Sequence, residues 1–261
     1  MEIGIGLFGE IGYQEQAKNL KKVGINRIFL RSENARLDDA IKYFKKYGII
    51  CETLHAPYDK INDMWYEGEA GEAMLLRLLD GVDKCAKYEI PVLITHVSSG
   101  RPMAPITKIG EERYKRLVDY AGEKGVRVAF ENLRYSENLS YAIKCNPKAG
   151  FCWDTGHENC FTPGEKFMPI FGERLIALHI HDNMGIVDSD DHLLPFDGAI
   201  DFDEVAKEIA KSGYNGTLML EVSKESKRNG KYIYEDISVE EFYEKAAKAL
   251  KKLLDMVEKY K

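Results

Sequence analysis

A chain of 261 residues with 37 Lys+Arg against 43 Asp+Glu carries a formal net charge of −6, which disfavours non-specific nucleic-acid binding without excluding a local basic patch. At 44% hydrophobic and 31% charged residues it is apolar enough for a full core and too apolar for disorder. There is no uncharged apolar window long enough to span a membrane and no basic region before an apolar stretch at the N-terminus. The five cysteines (Cys51, Cys85, Cys145, Cys152, Cys160) form no C-x-x-C pair. A membrane partner, a signal peptide, a disulfide framework and a zinc ribbon are therefore disfavoured, and a cytoplasmic location is expected.

In chain order, strands are predicted at Ile3–Leu7, Arg27–Leu30, Ile49–Leu54, Val92–Thr95, Arg127–Phe130, Gly150–Trp153, Leu175–Ile180 and Thr217–Val222, where apolar, β-branched and aromatic runs suit burial on both faces. Amphipathic spacing predicts helices between and after them, at Tyr13–Val23, Arg36–Tyr47, Gly71–Tyr88, Glu111–Lys124, Asn138–Cys145, Gly164–Phe171, Asp203–Lys211 and Ser238–Tyr260. Gly24, Gly48, Gly125 and Gly213 stand where a left-handed cap would end four of them. Strict alternation calls for a parallel sheet, and eight repeats in about 250 residues is the arithmetic of an α/β (β/α)8 barrel. A doubly wound sheet is the runner-up, but Gly4, Gly6 and Gly9 begin inside the first strand rather than after it. Without a linker or composition boundary, a single domain over residues 1–261 is expected, with the last helix closing the barrel against its first and last strands.

A barrel carries its chemistry at the C-terminal ends of its strands. The third strand ends in His55-Ala-Pro-Tyr58, the fourth in Thr95-His96, the fifth in Glu131-Asn132 and the sixth in Trp153-Asp154-Thr-Gly-His157. The seventh ends in His179-Ile-His181-Asp182-Asn183, followed by Asp190-Asp191-His192, and the eighth contains Glu221. All six histidines of the chain fall at such ends. If such positions are about a quarter of a barrel, chance would place six there about once in several thousand tries. Imidazoles and carboxylates converging on one mouth suit a borderline or hard divalent cation such as manganese, zinc, cobalt or magnesium.

These motifs resemble the xylose-isomerase-like TIM barrel superfamily, which includes sugar isomerases and epimerases and the endonuclease IV branch of apurinic endonucleases. The resemblance runs from Gly4-Ile-Gly6 to Glu221. It is strongest at Glu131-Asn132, Cys152-Trp-Asp154-Thr-Gly-His157, His179-Ile-His181-Asp182-Asn183 and Asp191-His192-Leu-Leu-Pro-Phe-Asp197-Gly198. It implies one metal held by Glu131, Asp154, His179 and Glu221, with His157 touching substrate. The endonuclease branch implies further metal ligands at His55, His96, His157, Asp190 and His192.

The first reading is a metal-dependent isomerase or epimerase of a sugar, sugar phosphate or related keto-polyol, with Glu131, Glu221 and His157 as catalytic residues. Two carboxylates flanking a cation-held diol can remove and return a carbon-bound proton beside a carbonyl. Phe8, Trp65, Trp153 and Phe196 are candidate apolar walls, Trp153 fitting the core better. The alternatives are a metal-dependent phosphodiesterase of the endonuclease IV type and a non-catalytic metal-stabilised sugar-binding barrel. Net acidity disfavours the nuclease, and the basic stretch Lys224–Lys231 reads better as a solvated loop than as a phosphate groove. Homo-oligomerisation is left open.

Overall fold

The computed structural model describes residues 1–9 and 11–261. Strands sheltered on both faces need continuous apolar runs, and β4 (Val92–Thr95) and β6 (Gly150–Asp154) are buried at every residue. With β1 (Glu2–Gly6), β2 (Arg27–Arg31), β3 (Ile50–His55), β5 (Arg127–Glu131), β7 (Leu175–His179) and β8 (Thr217–Leu220) they form one parallel sheet, ordered β7-β6-β5-β4-β3-β2-β1-β8. A parallel bridge between Ile180 and Leu220, with Ile180 N–H on Met219 and Glu221 N–H on Ile180, brings β7 and β8 together. The chain is a single-domain (β/α)8 barrel.

The outer layer comprises α1 (Tyr13–Val23), α2 (Leu37–Lys46), α3 (Glu69–Lys87), α4 (Lys108–Glu123), α5 (Ser136–Cys145), α6 (Thr155–Phe161), α7 (Met168–Phe171), α8 (Phe202–Ser212) and α9 (Val239–Tyr260). The last helix begins in a capping box, with Ser238 accepting from the Glu241 N–H and Glu241 accepting in return from the Ser238 N–H. Its buried face runs Phe242, Ala246, Leu250, Leu253 and Val257; it packs on β1 and β8 as expected, and also on α1 and α8.

One predicted helix is corrected. The helix expected at Gly164–Phe171 is helical only from Met168, and α6 occupies a stretch where no helix was expected. The cause is Asp154, whose side chain accepts the His157 N–H and caps α6 one residue after β6 ends. A 3-10 turn at Ile61–Trp65 and a short hairpin, Lys227–Arg228 with Lys231–Tyr232, are too short to leave a periodic signal.

Besides the main core there is a small cluster of Val92, Ile94, Ala129, Cys152 and Ala177, with one or two residues each from β4, β5, β6 and β7. Side chains alternate along a strand. Glu131, Asp154 and His179 each stand two residues beyond a member of this cluster, so they share its face one layer nearer the mouth.

Candidate metal centre

Glu131, Asp154, His179 and Glu221, from the ends of four consecutive strands, each offer a donor atom, all within 4.8 Å of one another. His179 Nδ1 lies 3.0 Å from Glu131 Oε1 and 2.7 Å from Glu221 Oε2. On the other oxygen of Glu131, His55 Nε2 stands at 3.2 Å and His96 Nε2 at 3.1 Å, the latter close but outside hydrogen-bond geometry. Asp190 joins from the loop after β7, its Oδ2 3.3 Å from His157 Nε2 and 3.2 Å from His192 Nε2. All nine residues expected from the sequence therefore meet at one mouth.

Three of the histidines are oriented in the same way. His55 Nδ1 donates to the Ala56 carbonyl at 2.7 Å, His157 Nδ1 to Asn132 at 3.0 Å and His192 Nδ1 to Glu221 at 2.7 Å. A carbonyl only accepts, so each Nδ1 carries a proton and each Nε2 is turned to the carboxylates. Metal-binding histidines are commonly fixed this way, by donating the second nitrogen to a backbone carbonyl. The frame is held by reciprocal bonds. Asn132 and Asp154 exchange side-chain and backbone contacts at 2.8 Å, and Thr155 Oγ1 donates to the His181 carbonyl at 2.9 Å.

One further residue belongs to the site. His181 is fully buried, with Nε2 3.0 Å from Asp154 Oδ1 and 3.5 Å from Asp190 Oδ1, and its ring stacks on His192 at 4.2 Å. The sequence reading quoted it without assigning it a role. Its signal was the two-residue spacing from His179, which keeps both side chains on one face of an extended strand.

The donor set fits a divalent cation. Ten buried side-chain polar atoms lack a hydrogen-bond partner among the described residues. Seven are here: both ring nitrogens of His96 and His181, Asp154 Oδ2, His179 Nε2 and Asp190 Oδ1. Native interiors tolerate few such atoms. Their concentration on imidazoles and carboxylates, away from aliphatic core, is what cation ligation would relieve.

Electrostatics agree with this. Burial opposes charge on Glu131, but His179, His55 and His96 outweigh it and hold its carboxyl well below the usual range. Burial opposes charge on His157 too, yet Asp154 and Asp190 raise it to about 10, and Asp190 raises His192 to about 9. For His96 burial wins and its pKa falls. Protons on His157 and His192 thus offset the charge of the carboxylates facing them, and a cation would take their place.

A cleft of about 900 Å3 opens onto Glu221 and His192 and is lined by Phe8, Phe29 and the loops after β1, β2 and β8. Of the expected apolar walls, Phe8 is present. Trp65 is not: it is fully buried, donates Nε1–H to Val97 and packs on Tyr114. Trp153 is core as expected, bonded to Glu158. Phe196 turns away, against Phe202 and under Lys252. Phe29, unassigned from sequence, lies 4.8 Å from the His179 ring. In the basic stretch, Lys224 is tied to the Tyr234 carbonyl and Arg228 to that of Asp197.

A family model described as xylose isomerase-like TIM barrel matches residues 17–253. Among curated proteins, y4fM of Sinorhizobium fredii, described as uncharacterized, is 38% identical over 144 residues, which is 55% of this chain and 43% of that protein. The match thus spans under half the length of that relative. Among solved structures, D-psicose 3-epimerase from Clostridium cellulolyticum H10, solved with D-tagatose, superposes with a TM-score of 0.78 at 16% identity, over 98% of this chain and 99% of the other. The IOLI protein with a bound zinc atom superposes at 0.73 and 18% identity, over 100% and 99%. At such identities the two likenesses speak to the fold, and the sequence family rests on the family model. By that match, over most of its length, the chain belongs to the xylose isomerase-like TIM barrel family.

Proposed function

We propose that the barrel is a divalent-metal-dependent isomerase or epimerase that moves a proton beside the carbonyl of a sugar or related keto-polyol. The observation that carries this reading is a pair of glutamates, Glu131 and Glu221, on either side of His179, with Asp154 completing a four-donor set. It is supported by structural neighbours that include a D-psicose 3-epimerase. Glu131, Asp154, His179 and Glu221 would hold the cation, which when bound supplies a Lewis acid for a carbonyl and its neighbouring hydroxyl.

The two glutamates are not equivalent. Glu221 lines the cleft and its side chain is 19% exposed, whereas that of Glu131 is fully enclosed by three histidines. Glu221 is therefore the carboxylate that reaches a carbon-bound proton from the open side, and Glu131 serves from the barrel interior. His157, its Nδ1 anchored on Asn132, presents Nε2 to a substrate hydroxyl or a developing enolate oxygen.

Glu131→Gln and Glu221→Gln should each lower proton exchange at the carbon next to the carbonyl by about 10²–10⁴-fold. Candidate ketoses and aldoses would be incubated in heavy water with manganese, cobalt, magnesium or zinc, and deuterium incorporation followed by NMR. Full exchange in either variant counts against the assignment.

A second reading, a metal-dependent phosphodiesterase, draws on three donor groups besides the four-residue set, His55–Glu131–His179, Asp154–His157–His181 and His181–Asp190–His192. Metal content per chain separates the two readings. One equivalent supports the isomerase. Three, with cleavage of an abasic-site duplex and no deuterium in any sugar, support the phosphodiesterase.

A further inference from the structure

The same cleft is lined by Arg31, the last residue of β2, paired in register with His55. Its neighbours at this end of the barrel are neutralised: Arg77 by Glu33 and Asp59, and Arg101 and Arg134 by Asp188. Arg31 is exposed, and among the described residues no carboxylate pairs with it. Of the cleft's carboxylates among the described residues, Glu33 is bonded to Arg77 and Glu221 faces His179, while Glu225 forms no ion pair with a described residue.

Among the described residues, Arg31's side-chain hydrogen bond and cation–π contact are both with Tyr58. Arg31 donates an N–H to the Tyr58 hydroxyl at 3.2 Å and lies over that ring at 5.3 Å. Tyr58 in turn stacks on His96 at 4.9 Å and meets His55 edge-on at 5.6 Å. The guanidinium is thus held one aromatic ring from imidazoles of the metal cluster, with most of its five donors uncommitted. Arg36, on the same cleft, lies over Tyr13 at 5.1 Å, and its 3.5 Å pair with Asp39 is highly exposed and weak.

A neutral sugar makes no demand for a fixed, always-charged fork at the mouth. A phosphate ester or carboxylate does, because a planar guanidinium matches its oxygens two at a time. We infer that Arg31, steadied by Tyr58, docks an anionic substituent of the sugar, a phosphate ester or a carboxylate, while the carbonyl end lies at the glutamates. This rests on the isomerase reading above and adds a substrate class to it.

Manganese-loaded protein would be titrated calorimetrically with matched ligands: D-fructose, D-fructose 6-phosphate and D-fructuronate, then D-ribulose and D-ribulose 5-phosphate. At least one anionic member should bind about 10- to 100-fold more tightly than its neutral parent. The phosphate and uronate arms identify which anion is preferred. Arg31→Ala should collapse that ratio towards one, and Arg31→Lys should keep only part of it, since an ammonium lacks the fork. The assignment is overturned if neutral parents bind as tightly as the anionic forms, if no anionic form binds, or if Arg31→Ala leaves the ratio intact. Deuterium exchange read alongside keeps the two proposals separate. Exchange without anion preference sinks only the Arg31 assignment, and anion preference without exchange sinks only the isomerase.

Discussion

Gly156 has no side chain where a Cβ would run into the ring of His181. That ring is fully buried and has no room to retreat. Gly156→Ala should cost about 1–3 kcal/mol by overpacking and reduce metal retention, although it removes no polar atom. Thermal melts with metal analysis of the purified variant would check this, and wild-type metal content at unchanged stability would refute it. The candidate cluster was legible in the sequence because imidazoles and carboxylates recur at strand ends, while the choice of candidate ligands within it came from the family resemblance. His181 was passed over because its spacing from His179 becomes meaningful only once both are known to face inward. The contrast between Glu131 and Glu221 was not legible at all, since enclosure by His55, His96 and His179 joins residues far apart in the chain.

The loop from Asp182 to Ile200 brings Asp190 and His192 to the mouth, and one buried carboxylate organises it. Asp182 accepts N–H groups from Asn183, Phe196, Gly198 and Ile200 at 2.8–3.1 Å. Asp182→Ala would strand those donors and should cost at least about 3 kcal/mol in urea unfolding. It should also weaken metal binding, because the loop carries two of the donors; a variant with an ordered, metal-replete site would show that the loop holds by other means. The same loop is fastened at its tip, where Asp188 pairs with Arg101 and Arg134 from the loops after β4 and β5. Long elements with strong periodicity, such as α1 and α9, lay close to their predicted bounds. The short α6 had no predicted counterpart, because it depends on the side chain of Asp154 rather than on an apolar stripe.

Across the molecule, the cluster should couple stability to pH and, with a cation bound, to metal. Asp154 and Asp190 raise His157 from 6.5 to about 10, and Asp190 raises His192 from 6.5 to about 9, against the effect of burial. A folded-state pKa raised above the unfolded one contributes stability that is complete below pH 6.5. That contribution is lost as pH rises through about 9 and about 10. Chelator-treated protein should therefore melt at progressively lower temperature over that alkaline window. A divalent cation should reduce the loss by taking the place of the protons. A flat profile in the cation-free protein, or one equally steep after His157→Gln and His192→Gln, would contradict this. The sequence by itself determined the alternation of strand and helix, the parallel barrel and the strand ends that carry chemistry, because hydrophobic period and helix-ending glycines are local and each strand end is named by its own neighbours. Only the tertiary structure decided which polar groups share an oxygen, which glutamate faces the cleft, that Trp65 is core and that Arg31 stands beside Tyr58 with no carboxylate partner among the described residues. Those facts depend on distances between residues brought together by closure of the sheet, and no spacing along the chain encodes them.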